Sequence, residues 1–357
     1  MIRVTFMMEQ HIGHRAYYQN LRQFIDQTQE IEANWVPITY EDDGYAWTRL
    51  PFLPQGVRGT LNGRAQARSG LKQTPADVVL ANTQVPAALA GRLIHRQPYI
   101  LSTDITPRQY DEMAELYGHQ PDRWKLLRDY KHRVNCALFR GAARVLPWST
   151  WVKDSLIRDY GVNSERIEVV PPGVNLDIWR PKARQPNGTL RILFVGGDFY
   201  RKGGDVLRDA FRQLPDGLAE LVLVTRSQIQ PQRGVLVYNH LQPNSAELID
   251  LYQTADVFVL PTKAEAFGIA AIEASAMGMP VIATAVGGVT DIVVDGENGF
   301  LVSPGNVDLL AKRLHQLAAD PDLRKRLGQA ARSRAEQKFD ARQNAARITE
   351  ILHQTAV

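Results

Sequence analysis

Short runs that are apolar at consecutive positions recur between amphipathic helical stretches, and they do so twice along this chain. IRVTF, DVVLAN, PYILS, ARVLPW and IEVVPP form a first set; LRILFVGG, LVLVT, VLVYN, DVFVLP and PVIAT form a second. A strand that is apolar on both sides must be covered on both sides, and an intervening helix is the crossover that a parallel pair requires. The pattern therefore predicts an α/β chain with two doubly wound parallel sheets, rather than a sandwich or a helical bundle. With 357 residues, 44% of them hydrophobic, the chain can bury two such cores.

Between the two sets, PPGVNLDIWRPKARQPNG is rich in Pro, Gly and Asn and marks a linker, with the hinge between Pro172 and Pro186. The expected domains are residues 1–178 and 179–338. The carboxyl end is helical almost throughout, broken at Asp320-Pro321, and Asp340 is placed to cap a last helix over 339–357.

Composition narrows the setting. A lone cysteine, Cys136, excludes an internal disulfide and fits a reducing cytoplasm. The opening MIRVTFMMEQ is too short for a signal core, and no later run reaches membrane-spanning length, so the expectation is a soluble chain or one attached to a membrane surface. A net charge of +4 with a pI near 9.1 is spread evenly, which argues against a nucleic-acid partner. One local asymmetry stands out: no acid falls between Asp43 and Asp77, while Arg49, Arg58, Arg64, Arg68 and Lys72 do. Arg64, Arg68 and Lys72 would form one cationic row on a helix, either a solvated face or a contact for an anionic acceptor or lipid surface.

In doubly wound sheets ligands sit beyond the carboxyl ends of strands, so turns from strand to helix matter most. ILFVGGDFYRKGGDVLRDAF closes a strand with Gly196 and Gly197, carries Arg201 and Lys202, and enters a helix at Asp205. Close backbone approach, free helix amides and two cations suit an anion such as a diphosphate, although neither P-loop nor G-x-G-x-x-G spacing is present. Further on, PTKAEAFGIAAIEASAMGMPVIAT sets Glu265 in an exit loop and Glu273 within the next helix, amid small and apolar neighbours. Phe267, Gly268 and Ile269 lie at that helix start, where an anion is favoured. A buried carboxylate needs hydrogen-bond partners, and a ligand rich in hydroxyls would supply them.

The E-x7-E pair Glu265 and Glu273, together with PPGVNLDIW, RKGG and PVIATAVGGVTDIVVDGENGFLV, resembles glycosyltransferase family 4, strongly over residues 145–340 and more faintly before that. The resemblance implies the GT-B fold, two facing Rossmann-like domains with a cleft between them, and the last helix crossing back onto the first domain. It implies a retaining transferase that needs no obligatory metal or cofactor and uses a UDP- or GDP-sugar with a carbohydrate, lipid-linked or small-molecule acceptor. Glu273 would bind ribose hydroxyls, Glu265 the transferred sugar and Lys202 the diphosphate, with Gly196, Gly197 and Thr225 on the nucleotide side. Where the family carries an Arg after the first glycine of the turn, this chain has Gly197, and Arg201 is expected to take that role. Where the family carries a His in a first-domain loop, PYILSTDITPRQYD offers Asp104. EQHIGHRAYYQN resembles the loop after the first strand, placing Gly13, His14 and Arg15, with His11, on the acceptor side; a structural role for each histidine stands beside that one.

Three other readings complete the expectations. Asp42 and Asp43 of EDDG read as a turn rather than a metal pair. Paired carboxylates also suit glycoside hydrolysis, but the phosphate-type turn favours a nucleotide donor. A sugar-nucleotide-binding protein without transfer activity is the alternative. Trp148, Trp151 and Tyr160, and the apolar face of DRWKLLRDYKHRVNCALFRGA, are expected to pack in the core.

Overall fold

The computed structural model describes residues 1–41, 44, 54–182 and 188–356. It divides into two compact units, one of Met1–Glu112, Gln120–Gly173 and Ala341–Val357, the other of Met113–His119 and Val174–Asp340.

The first unit holds a five-stranded sheet of β1 (Ile2–Glu9), β2 (Ile31–Ile38), β3 (Val78–Asn82), β4 (Tyr99–Thr103) and β5 (Arg144–Pro147), in the order β2-β1-β3-β4-β5. Every pairing is parallel. All positions of β3 and β4 are buried, as an apolar run covered on both faces requires. The helix Thr150–Tyr160 is cut at both ends by local chemistry. Ser149 Oγ accepts from the Val152 amide at 3.3 Å, and Gly161 turns the chain out at φ 61°. Helix Ala341–Ala356 packs against helix Ile12–Ile25 and against β1 and β3. Its Ala345, Ile348, Ile351 and Leu352 are buried, and Arg347 Nη2 donates to Glu168 Oε2 at 2.8 Å.

The second unit holds six parallel strands: β6 (Leu190–Val195), β7 (Ala219–Val224), β8 (Val235–Tyr238), β9 (Val257–Leu260), β10 (Val281–Thr284) and β11 (Gly299–Val302), in the order β11-β10-β9-β6-β7-β8. Asp320 caps the helix Pro321–Lys338 by accepting from the Leu323 amide at 2.8 Å, with Pro321 at its first position where no amide is needed. The unit's chain ends meet: the Val174 amide donates to the Phe339 carbonyl at 2.9 Å, and Val174 bridges Asp340 in parallel.

One expected strand is absent, and two strands are present that no apolar run marked. IEVVPP is not a strand. Ile167 makes an isolated bridge to Val145, and Pro171-Pro172 then removes the donors that would extend it. β2, IEANWVPI, carries Glu, Asn and an internal proline, yet it pairs along its whole length with β1; as an edge strand it tolerates Pro37. β11, GFLV, is a second edge strand that its turn-like approach DGEN concealed.

The helix Lys125–Gly141 corrects another expectation. Only Leu138 and Phe139 near its carboxyl end are buried, while Leu126, Leu127, Tyr130 and Val134 are exposed. Trp148 and Tyr160 do pack in the interior.

Candidate functional site

In the second sheet, connections run outward from β6 toward β8 on one side and from β9 toward β11 on the other. The carboxyl ends of β6 and β9 therefore border the crevice where strand order reverses, the usual ligand position in such sheets. The two loops that leave these strands carry Lys202 and Glu265, and they are fastened together. The Lys263 amide donates to the Arg201 carbonyl at 2.9 Å and Thr262 Oγ1 to the same oxygen at 3.3 Å. Gly203, at φ 75°, presses against β9: a Cβ there would stand 1.9 Å from the Pro261 carbonyl oxygen. On the far side Gly287, at φ 54°, lies against the backbone of Glu265, where a Cβ would meet its carbonyl oxygen at 1.8 Å. Both contacts admit only glycine.

The fastening sets the side chains. Lys202 Nζ is ion-paired with Glu265 Oε2, and the Glu265 residue is only 6% exposed. Arg201 is engaged elsewhere: its Nη1 donates to the Ala264 carbonyl at 3.1 Å, its Nε lies 3.4 Å from Asp198, and its guanidinium stacks 4.6 Å from the centre of the Tyr117 ring. Lys263 pairs with Asp205 at 2.7 Å.

Glu273 is the fifth residue of helix Ile269–Ala276, which Gly268 opens at φ 108°. It is 8% exposed, and Tyr252 donates to its Oε2 at 2.9 Å. Burial raises its carboxyl to about 7, the Tyr252 hydrogen bond pulling the other way, so it holds a proton for much of the time near neutrality. Among the described residues Tyr252 is the one side chain that donates to it, which leaves most of the acceptor capacity of a carboxylate for hydroxyl groups of a ligand. The side chain of Phe267 is spent on packing against Phe339, leaving its backbone at the helix entry with Gly268 and Ile269. Thr225, just past β7, is buried, and its Oγ1 donates to the Gly197 carbonyl at 3.5 Å.

The first unit repeats the arrangement at its own switch point, between β1 and β3. Here sequence reasoning missed Glu9. It is 7% exposed at the end of β1, accepts from Thr83 Oγ1 at 2.6 Å and from the Tyr40 hydroxyl at 3.1 Å, and has His11 Nε2 at 3.5 Å. Both donors hold positive φ, 69° at Thr83 and 62° at Tyr40, a strained conformation for such residues that concentrates at sites where geometry matters. Beside this cluster His14 Nε2 lies 3.5 Å from Asp104 Oδ2, and its Nδ1 lies 3.2 Å from the Asn82 side-chain nitrogen. Both ring nitrogens of His14 thus have a polar neighbour. Gly13 has open space where a Cβ would stand, and Arg15 is exposed.

Arg64 and Lys72 are exposed on helix Gln55–Gln73, while Arg68 is half-buried. Asp42, Asp43 and Arg49 lie outside the described residues, as does 183–187 of the linker. Among the described residues no group of three or more His, Cys, Asp or Glu side chains is gathered as for a metal ion. A surface depression of about 510 Å³ lined by His95, Arg96, Tyr99 and Arg166 sits at the amino ends of β4 and β5, away from both switch points.

Residues 32–178 match the model of Glycosyltransferase Family 4, and residues 176–334 match that of Glycosyl transferases group 1. The chain belongs to glycosyltransferase family 4. This family member is similar to proteins named D-inositol 3-phosphate glycosyltransferase. The one from Streptomyces bingchenggensis is 39% identical over 212 residues, 51% of this chain and 47% of that one. The one from Xylanimonas cellulosilytica is 35% identical over 227 residues, 56% and 54%. The aligned region spans about half the length of these curated relatives. Two solved structures share its fold over 99% of this chain. A sucrose-phosphate synthase from Thermosynechococcus elongatus has TM-score 0.78 at 19% identity over 99% of its own length, and Anabaena HepE in complex with UDP-glucose has TM-score 0.70 at 19% over 100%. The fold of this family member is GT-B.

Proposed function

We propose that this chain transfers a sugar from a UDP- or GDP-sugar to a hydroxylated acceptor, with retention of anomeric configuration and no obligatory metal ion. The second unit holds the donor and the first the acceptor. The observation that carries this reading is the Lys202–Glu265 pair fixed at the β6/β9 switch point, with the hydroxyl-seeking carboxyl of Glu273 buried on the helix that follows. Glu273 accepts from the ribose hydroxyls and Glu265 from the transferred sugar. As the bond from the anomeric carbon to the diphosphate oxygen breaks, its electron pair leaves on the phosphate, and Lys202 stabilises the growing charge. The acceptor oxygen bonds to the anomeric carbon and passes its proton to the departing phosphate oxygen. Asp104, held by His14, with Gly13 and Arg15 nearby in sequence, faces the acceptor side; the relatives' name makes inositol phosphates the first acceptors to try.

Thermal stabilisation against UDP, GDP, ADP and their sugar conjugates tests the donor, because a ligand that binds only the native state raises the melting temperature. Product formation with EDTA present, and the anomer formed, test the rest. Unchanged turnover in Lys202→Ala and Glu273→Gln would sink the site assignment. Nucleotide binding with no product from any acceptor would favour a sugar-nucleotide-binding protein.

A lipid-surface contact belongs to the same proposal, and the exposed face of helix Lys125–Gly141 supports it better than the basic segment before Asp77. Trp124 is 78% and Leu126 82% exposed, and Leu126, Tyr130 and Val134 recur at intervals of four on one face. Arg123, Lys125, Arg128, Lys131 and Arg133 lie among them against only Asp122 and Asp129, a charge balance that supports an anionic lipid surface as the occupant.

A further inference from the structure

We propose that Arg226 is a second phosphate-binding cation of the donor site, its guanidinium gripping the diphosphate beside Lys202 from the space that a side chain at position 197 would fill. The proposal rests on the donor reading above, but the observations that point to Arg226 are its own.

The first is register. β6 and β7 pair in parallel from Leu190 with Ala219 to Val195 with Val224. Continued two residues past the last pair, the same offset sets Gly197 opposite Arg226. Residues in register on neighbouring strands lie about 4.8 Å apart with side chains on the same side. Because position 197 has no side chain, Arg226 can fold over it. A Cβ on Gly197 would stand 2.8 Å from Arg226 Nη2, 3.0 Å from Nε and 3.3 Å from Cζ, so the guanidinium lies across that backbone. The preceding glycine is roofed likewise: a Cβ on Gly196 would stand 3.0 Å from both Cβ and Cγ of Lys202. Successive α-carbons are about 3.8 Å apart, so two cationic side chains cross the backbone at adjacent positions.

The second is charge. At this end of the sheet Arg201 faces Asp198, Lys202 faces Glu265 and Lys263 faces Asp205. Among the described residues Arg226 has no carboxylate within ion-pair distance and no hydrogen-bond partner for its guanidinium, and it is exposed. Lys202 is already balanced by Glu265, so it brings no net charge to a diphosphate. Arg226 does, and its planar fork matches phosphoryl oxygens in pairs.

The third is preorganisation. The turn that carries Arg226 is pinned on both sides: Thr225 Oγ1 donates to the Gly197 carbonyl and accepts from the Ser227 amide at 3.3 Å. The Asn239 side-chain amide donates to the carbonyls of Thr225, at 3.0 Å, and Ser227, at 2.8 Å. With the turn already fixed, binding has to order the Arg226 side chain but not the backbone that carries it.

The experiment is calorimetric titration of the full chain and of Arg226→Ala, Arg226→Lys, Gly197→Ala and the double variant Gly197→Ala/Arg226→Ala. The probes are UDP, GDP, ADP, the matching nucleosides and inorganic pyrophosphate. Expected is a loss of about ten- to a hundredfold in diphosphate affinity for Arg226→Ala, with nucleoside affinity within about twofold of wild type. Arg226→Lys should recover only part of it. Gly197→Ala should weaken diphosphate binding by displacing the guanidinium, and should add nothing once Arg226 is gone. Diphosphate affinity unchanged in Arg226→Ala overturns the proposal while leaving the donor reading intact. Equal loss of nucleoside and diphosphate also overturns it, since the residue would then act only on the shape of the site. Pyrophosphate binding that depends on Arg226, without nucleotide binding, would sink the donor reading and keep the anion site. Wild-type protein that binds neither sinks both.

Discussion

Glu273 is a carboxyl whose environment makes it half acid, half base near neutrality, and this has a measurable sign. In the folded chain its value is raised from 4.5 to about 7 by burial. The native state therefore keeps a proton that the unfolded chain gives up as pH climbs through 4.5. The stability this confers is complete below about 4.5 and is lost as pH rises to about 7, by roughly 3 kcal/mol. Glu273→Gln should remove that part of the pH dependence, as denaturant melts at pH 5 and pH 8 would show; an identical slope in the variant would refute it. Hydrogen bonds from ribose hydroxyls favour the carboxylate, so nucleotide binding at pH 6.5 should release a fraction of a proton. Calorimetry in buffers of different ionisation enthalpy reads this directly, and no release at that pH would count against ribose at Glu273. Lys202 behaves differently. Removing it in Lys202→Met leaves Glu265 buried and uncompensated, a loss expected at about 3 kcal/mol or more, visible as a lowered melting temperature. Glu265 and Glu273 were legible in the sequence because two carboxylates amid Ala, Ile and Gly need a reason. Arg226 was not, since its relation to Gly197 exists only through strand register. Glu9 was hidden by the apolar run that it ends.

Among the elements, the legible strands are those that read as short apolar runs, from the central β1, β3, β4, β6, β7, β9 and β10 to the edge strands β5 and β8. The edge strands β2 and β11 were not, because a strand paired on one side tolerates polar residues and even Pro37, and a four-residue strand after DGEN looks like the end of a turn. The loops between strand and helix are where substitution should tell most about function. Gly287→Ala asks a residue with a Cβ to hold φ 54° with that atom 1.8 Å from the Glu265 carbonyl. The expected result is a loss of more than about 1 kcal/mol in stability together with a larger loss in donor affinity, since Glu265 must move. Donor affinity equal to wild type would mean that the loop does not position Glu265. Helix Lys125–Gly141 carries its own test. Leu126→Glu with Tyr130→Glu should abolish sedimentation with vesicles of anionic phospholipid at low salt and leave nucleotide affinity in place. Wild-type protein that stays in the supernatant at every salt concentration excludes the lipid contact. Its amphipathic pattern was visible in the sequence, but periodicity alone does not say whether an apolar face meets the core or the outside.

At the level of the whole molecule, the chain leaves the first unit at Gly173 and returns to it at Ala341, so the second unit is inserted in the first. The returning helix, with Ile348, Ile351 and Leu352 buried, contributes to the first unit's stability rather than to that of the unit it follows. Leu352→Ala should cost roughly 2–5 kcal/mol in the first unit. Nucleotide should still stabilise the second unit by the same increment, read by calorimetry with and without ligand; loss of that increment would mean that the helix supports the donor site.

The parallel bridge between Val174 and Asp340 also decides how the molecule bears load. Tension applied between residues 2 and 356 is carried at first by the first unit alone, because both anchors lie in it. It reaches the second unit only after helix Ala341–Ala356 has peeled away, and then enters through two neighbouring points that are hydrogen-bonded to each other. That bridge works as a clasp, and an optical trap should record helix release as a separate first step, with the nucleotide-binding half still folded behind it.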